Sequence, residues 1–277
     1  MISVIIPANN EEGYIGTCLD LLLASEPPSK GPMQVVVVAN GCSDNTVGEA
    51  GERNTAFAEK GWRLDVLDLE EGGKVRALNA AEEAILHPLR VYIDADIHVT
   101  PPLIAQLADA LDREAPAYAG GRPGIRTART FVSERYARFW EKLPFMATGV
   151  PGCGVYGINA AGRARWEAFP QVIADDTFVR YQFAPDEMHG VPATYTWPIT
   201  EGFANLVRVR RRQDEGLAEI RVRWPDLAAR MEPTAPDTGE KLNLFLRDPL
   251  GFVIYAGVAL TVRTPFLRNT SGWHRGR

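Results

Sequence analysis

Asp94-Ala95-Asp96 closes the short apolar run Val91–Ile93. Two carboxylates at i and i+2 leave a strand end close together when only a small residue separates them. Such a pair suits a hard divalent cation that takes oxygen ligands and shares its coordination shell with phosphates. A solvated loop carries the same short pattern, so its position in the fold decides its meaning. His98, two residues on, reads as a solvated or capping histidine rather than a further ligand. Two polar loops, Pro7-Ala8-Asn9-Asn10-Glu11-Glu12 and Ala39-Asn40-Gly41-Cys42-Ser43-Asp44, also follow apolar runs. Loops of this kind wrap a base and ribose by hydrogen bonding, although Asn-Gly and Ser-Asp are also ordinary turn formers. Gly72-Gly73-Lys74 precedes a helical segment holding Arg76 and Asn79. A glycine pair, a lysine and a helix N-terminus together suit a diphosphate; a tight turn with a surface lysine is the plainer alternative.

The elements that must position these groups alternate through the first hundred residues. Val4–Ile6, Val35–Val38, Leu64–Leu67 and Val91–Ile93 read as strands, being short, apolar and mostly β-branched. Tyr14–Ala24, Asp44–Lys60 and Val75–Leu86 read as the helices between them, with Ser43 or Asp44 as the N-cap of the second. Nearly all-apolar strands alternating with helices predict an α/β fold with a mostly parallel sheet flanked by helices. Such a sheet binds its ligand at the carboxyl ends of the strands, where the polar motifs stand. Further on, Pro101–Arg113, Val132–Leu143, Asn159–Phe169 and Asp176–Phe183 are helical in pattern, and 117–131 reads as a connection or an edge strand. Gly149–Gly157 is a glycine-dense loop, and a basic run (Arg208, Arg210, Arg211, Arg212) leads into a helical tail. The expected organisation is a catalytic domain over 1–205, its halves meeting near residue 100, with a helical extension over 206–277.

These pieces together resemble the family 2 glycosyltransferases of the GT-A fold. The matching segments are SVIIPANNEE at 3–12, VVVVANGCSDNT at 35–46, GGKVRALNAA at 72–81 and VYIDADIHV at 91–99. PGCGVYGINAAG at 151–162 is similar to that family's glycine-rich acceptor-side segment, and IADDTFVRY at 173–181 to its acidic catalytic motif. The resemblance covers residues 2–212 in the family's order. It implies a metal-dependent, inverting transferase that uses a nucleotide-sugar donor, with 1–100 as the donor half and 101–205 as the acceptor half. Pro7, Ala8, Asn9, Glu11 and Asn40 would hold the base and ribose. The family more often has two aspartates where this chain has Ala39-Asn40, which bears on base identity. Lys74 and Arg76 would meet the diphosphate. Asp94 would touch the ribose or a metal-bound water, and Asp96 would ligate Mn2+ or Mg2+. Gly152, Cys153 and Gly154 fall on the acceptor side.

The resemblance makes Asp176 the general base that deprotonates the acceptor hydroxyl, with Asp175 as the alternative. Repulsion between adjacent carboxylates raises one pKa toward the range of a general base. The same pair also suits the N-terminus of the helix that follows, and the two roles are compatible. The run Val207–Arg212 keeps the arginines of a motif found in processive relatives but lacks its tryptophan, which favours single transfer.

Composition narrows the classes further. The 277 residues carry 30 Lys plus Arg against 35 Asp plus Glu, a net charge of −5, which argues against a nucleic-acid binder. Apolar residues at 45% and charged residues at 23% are ordinary for a globular chain. Three scattered cysteines (Cys18, Cys42, Cys153) form no CxxC pair, so a reducing, cytoplasmic setting is expected. Ser3–Pro7 is too short for a signal-peptide core and reads as the first strand. Leu250–Val262, at 13 residues, falls short of the roughly 20 that span a bilayer. Arginines flank that tail, so a peripheral membrane contact through 245–268 competes with packing on the domain or in a homodimer. UDP is slightly favoured over GDP as the donor nucleotide, and the acceptor is an unidentified hydroxyl. The competing functions are a catalytically silent nucleotide-sugar scaffold and a sugar-phosphate nucleotidylyltransferase. The second would want an arginine-bearing glycine loop after the first strand, and the residues there have neither feature. A dinucleotide oxidoreductase would need GxGxxG there, which is also missing.

Overall fold

The computed structural model describes residues 1–125, 128–147, 150–229 and 237–267. In chain order the first elements are β1 (Ile2–Ala8), α1 (Ile15–Leu23), β2 (Met33–Asn40), α2 (Thr46–Gly51), α3 (Asn54–Glu59), β3 (Arg63–Leu69) and α4 (Lys74–Ala84). Next come β4 (Leu89–Ile93), β5 (His98–Val99), α5 (Leu103–Leu111), β6 (Tyr118–Ile125), α6 (Phe131–Trp140), α7 (Pro144–Ala147) and β7 (Val155–Ile158). The remainder is α8 (Ala160–Arg163), α9 (Asp175–Arg180), β8 (Met188–Trp197), α10 (Phe203–Arg223), α11 (Pro225–Ala229), α12 (Thr238–Arg247) and α13 (Pro249–Val262).

The strands form one sheet in the order β3-β2-β1-β4-β7-β6-β8-β5. β3, β2, β1 and β4 are parallel, and Val35 to Val38 of β2 are wholly buried, as expected for a strand covered on both faces. The other half departs from the parallel expectation: β7 runs antiparallel to β4 and to β6, and β8 antiparallel to β5. This reversal matters for the site. With Ile93 opposite Val155, the residues just before β7 come to lie beside those just after β4.

Three local expectations need correction. Asp44–Lys60 is two short helices, α2 and α3, since Gly48 and Gly51 weaken the segment as a continuous helix. Residues 118–125 are an interior strand between β7 and β8, and β5 is the edge. Only Ala160–Arg163 of 159–169 is helical. The Arg163 guanidinium takes the Trp166 and Glu167 carbonyls at 2.6 and 2.7 Å, and Phe169 precedes a proline. Gly149, Arg268 and Trp273 lie outside the described residues.

Contacts divide the chain into two compact units. The first comprises 1–123, 152–171 and 175–196 and holds the parallel strands; the second comprises 124–151, 172–174 and 197–277 and is mainly helical. In the second unit, Phe252 and Tyr255 of α13 pack on α6. The Phe139–Tyr255 ring centroids are 5.1 Å apart and the Tyr136–Tyr255 centroids 5.3 Å.

Candidate active site

All the groups of the site belong to the first unit, at the carboxyl ends of β1, β2 and β4. Its floor is laced by one buried side chain. Asn40 Nδ2 donates to the Ala8 and Val38 carbonyls at 2.8 and 3.3 Å, and its Oδ1 accepts from the Gly73 amide at 2.9 Å. Asn9 Nδ2 donates to the Asn40 and Gly41 carbonyls at 2.6 and 3.1 Å. The first loop, the second loop and the Gly72-Gly73 turn are thereby tied together. Gly41 is required there: its φ is +57°, and a Cβ would stand 2.6 Å from the Gly72 nitrogen. Glu11 serves the same frame through its backbone. Its carbonyl accepts from the Tyr14 and Ile15 amides at the start of α1, each at 2.9 Å, and its amide donates to Thr46 Oγ1 at 2.7 Å.

Above this floor sits a charged cluster. Lys74, the first residue of α4, sets its Nζ 3.0 Å from Asp94 Oδ1 and 3.2 Å from Asp175 Oδ2. Burial pulls the Lys74 ammonium down, but Asp175 and Asp94 outweigh it and hold the pKa above the usual lysine range. Burial pushes the Asp175 carboxyl up to about 6 against the opposing pull of Lys74, and Asp176 and Asp94 add to the rise. Lys74 approaches Asp175 Oδ2 outside hydrogen-bonding alignment, so that buried oxygen has no hydrogen-bond donor. Asp176 is half-buried, and its Oδ1 accepts from the Thr177 amide at 2.7 Å and from Thr177 Oγ1 at 3.3 Å.

Pro7, Lys74, Asp94, Gly154, Tyr156 and both aspartates of α9 line a cavity of about 10 Å³ with Leu78, Tyr92 and Ile93, room for about one water. The antiparallel β7 closes it: the Asp94 amide donates to the Gly154 carbonyl at 2.9 Å. Ala8, Asn9, Glu11, Asn40, Arg76, Asp96, Gly152 and Cys153 do not line this cavity. Arg76 is instead ion-paired with Glu71 on the surface. Gly152 has φ +70°, and a Cβ there would stand 1.9 Å from the Tyr118 hydroxyl oxygen. Burial, with Asp176 next, pushes the Cys153 thiol up, which keeps it protonated and unreactive.

Two tyrosines that local pattern does not single out, Tyr92 and Tyr156, also belong to the site. Tyr156 lines the cavity with a buried hydroxyl that has no hydrogen-bond partner, and its ring stacks on Tyr92 at 4.8 Å. Both stand inside quoted motif segments. The available signal was their place on two strands that each adjoin an acidic or glycine motif.

Among the described residues no group of three or more His, Cys, Asp or Glu is arranged to enclose a metal ion. The donors at the end of β4 are the carboxylate oxygens of Asp94 and Asp96, with Asp94 Oδ1 3.0 Å from the Lys74 ammonium. They fit a hard divalent cation that shares its shell with phosphate oxygens, as Mg²⁺-type sites do.

A family model, "Glycosyl transferase family 2", matches residues 3–167, more than half of the chain. The chain belongs to the family 2 glycosyltransferases and is a glycosyltransferase of GT-A fold. Among solved structures it is similar to the mannosyltransferase PcManGT from Pyrobaculum calidifontis in complex with GDP-Man and Mn2+. Identity is 21%, coverage is 94% of this chain and 74% of that one, and the TM-score is 0.60. S. aureus TarS 1-349 in complex with UDP is 17% identical over 95% of this chain and 75% of that one, with TM-score 0.56. Glucosyl-3-phosphoglycerate synthase from Mycobacterium tuberculosis, with Mn2+, UDP and glucosyl-3-phosphoglycerate, is 19% identical. That match covers 86% of this chain and 82% of the other, with TM-score 0.54. No curated protein sequence matches the chain.

Proposed function

We propose that the chain transfers a sugar from a nucleotide-diphosphate donor to an acceptor hydroxyl by direct displacement, with inversion at the anomeric carbon. The observation that carries this reading is the Lys74 ammonium, set between Asp94 and Asp175 at the strand ends and beside Asp176. An ammonium at the first turn of a helix, behind two glycines, is suited to oxygens of a diphosphate. Pro7, Ala8, Asn9 and Glu11 frame the base and ribose side. The Asn40 amide is committed to Ala8, Val38 and Gly73, so base identity falls to backbone groups and neighbours rather than to that side chain.

Asp176 is the general base. It takes the acceptor proton as the hydroxyl oxygen bonds to the anomeric carbon, and the bond from that carbon to the diphosphate oxygen breaks. Asp175, buried and paired with Lys74, orients the ammonium and is the alternative base. Asp96 and Asp94 would hold Mn2+ or Mg2+, which when bound stabilises the negative charge developing on the leaving nucleoside diphosphate. The Mn2+ in the PcManGT and glucosyl-3-phosphoglycerate synthase complexes supports this assignment. Gly152, Cys153 and Gly154 shape the acceptor side. The nucleotides in the similar structures support UDP or GDP as the donor's carrier, with UDP slightly favoured.

A thermal-shift screen of UDP-, GDP-, CDP- and dTDP-sugars, each with and without Mn2+, tests the reading. A native-state ligand at a hundredfold excess over its Kd adds about 2.7 kcal/mol of apparent stability. One nucleotide stabilising only with metal is the expected outcome; no response to any of them overturns the proposal.

A further inference from the structure

Helix α13 is apolar around its whole circumference, a pattern that belongs to a helix covered on all sides. Yet only Gly251 and Val258 of α13 are buried. One side, bearing Phe252 and Tyr255, packs on α6, and Arg210 of α10 donates to the Tyr255 hydroxyl at 2.9 Å. The other side carries Leu250, Val253 and Leu260, spaced as one helical stripe, with Val253 60% and Leu260 61% exposed. Asp248 breaks the helix between α12 and α13, which meet through the Phe245 and Phe252 rings at 5.5 Å, and α12 exposes apolar residues of its own, Leu242 and Leu246, the latter 68% exposed. Large apolar side chains exposed together on two joined helices mark an interaction site.

Charge selects the occupant. From Pro249 to Leu267 the chain has no carboxylate, although its net charge is −5. Asp248, the acid just before, is buried and held by Lys142 at 2.8 Å. Asp237 and Glu240 lie at the far end of α12, where they form its N-terminal capping box beside Lys241; from Leu242 to Leu267 the exposed charges are Arg247 and Arg263 alone. A second copy is a poor fit. In a two-fold pairing through the stripe each arginine meets an arginine, whether the helices run parallel or antiparallel, with no carboxylate between them. At 14 residues, α13 is also too short to cross a bilayer, and no described helix is long and apolar enough to do so. A surface of anionic phosphates over hydrocarbon answers both the stripe and its rim.

We propose that the α12–α13 face docks on an anionic lipid surface. Leu246, Leu250, Val253 and Leu260 enter the headgroup boundary, while Arg247 and Arg263 extend to lipid phosphates. Docking of this kind does not depend on the transfer reaction, so its test stands apart from donor binding.

The test is co-sedimentation of the full chain with vesicles of equal parts phosphatidylcholine and phosphatidylglycerol, against vesicles of phosphatidylcholine alone. The wild type sediments with the mixed vesicles, is released by high salt and stays in solution with the neutral ones. Leu246→Glu and Val253→Glu, both at exposed positions, retain the wild-type melting temperature and lower the partition by on the order of tenfold each. Reversing both arginines (Arg247→Glu with Arg263→Glu) lowers it by about tenfold or more and removes the salt dependence. Absence of wild-type sedimentation with the mixed vesicles overturns the proposal. So does equal, salt-insensitive binding to neutral vesicles. A dimer in light scattering that Val253→Glu dissociates, without vesicle binding, overturns it in favour of a second copy.

Discussion

Around Lys74 one ammonium faces two carboxylates and leaves one of their buried oxygens without a hydrogen-bond donor. Around Arg211 of α10, in the second unit, the opposite holds. Its guanidinium lies within hydrogen-bond distance of five carbonyls, those of Thr261 and Val262 at the end of α13 and those of Thr264, Phe266 and Leu267 in the turn that follows. Nearby, Arg210 is held by Asp214 at 2.9 Å and by the Tyr255 hydroxyl, and Asp248 by Lys142 and the Gly251 amide. Both regions gather charge; Arg210, Arg211 and Asp248 are each fully engaged, and the orphaned atom of the Val207–Arg212 run is the buried Nε of Arg208, away from the carboxylate cluster. A buried oxygen without a donor costs stability, and Asp175 Oδ2 belongs to a residue that lines the cavity, where a ligand's donor would offset that cost. Of the arginines in Val207–Arg212, which in sequence are the remnant of a motif of processive relatives, Arg210 and Arg211 fasten α13 and the turn after it.

The contrast breaks most visibly at Asp176. Asp176→Asn should lower kcat by about 10²- to 10⁴-fold while leaving the calorimetric donor Kd within a small factor. Near-normal turnover would move the base to Asp175. The second consequence concerns stability. Because the folded-state pKa of Asp175 is raised to about 6, the native state binds its proton more tightly than the unfolded chain does. Stability from this group is therefore present at low pH and lost as pH rises from about 4 to about 6, by on the order of 3 kcal/mol. The difference in urea-unfolding free energy between wild type and Asp175→Asn, followed from pH 4 to pH 7, reads this directly. A flat difference would mean that Lys74 fully compensates the buried charge.

Much of this was legible from residue order alone. The four valines of β2 and the polar groups ending β1, β2 and β4 follow from local pattern, because a parallel strand carries its burial in its own composition. The antiparallel β7 was not legible. Val155–Ile158 is as apolar as β4, and nothing local states the direction in which it pairs. Asn40 shows the second limit. Its type fits a base contact as well as a brace, and only the positions of Ala8, Val38 and Gly73 decide between them. The Lys74–Asp175 pair joins residues a hundred positions apart, beyond any periodicity.

On the satisfied side of the comparison, Asp248→Ala removes the N-cap of α13 and strands Lys142. Lys142 and the Gly251 amide hold the Asp248 carboxyl below its ordinary value. Its contribution is thus present above about pH 4 and fades as the pH falls through the lowered native pKa. We expect a loss of about 1–3 kcal/mol near neutral pH, read by urea unfolding, that shrinks in acid.

Arg211→Met is the sharper control, because it keeps the aliphatic stem and removes only the donors. The carbonyls closing α13 then turn to water, and the expected cost is about 1–2 kcal/mol. Transfer assayed well below the melting temperature should keep wild-type kcat and KM. A fall in kcat without a fall in stability would place Arg211 in the chemistry. The difference drawn between an unsatisfied and a satisfied cluster would then fail at the residue where it is most complete.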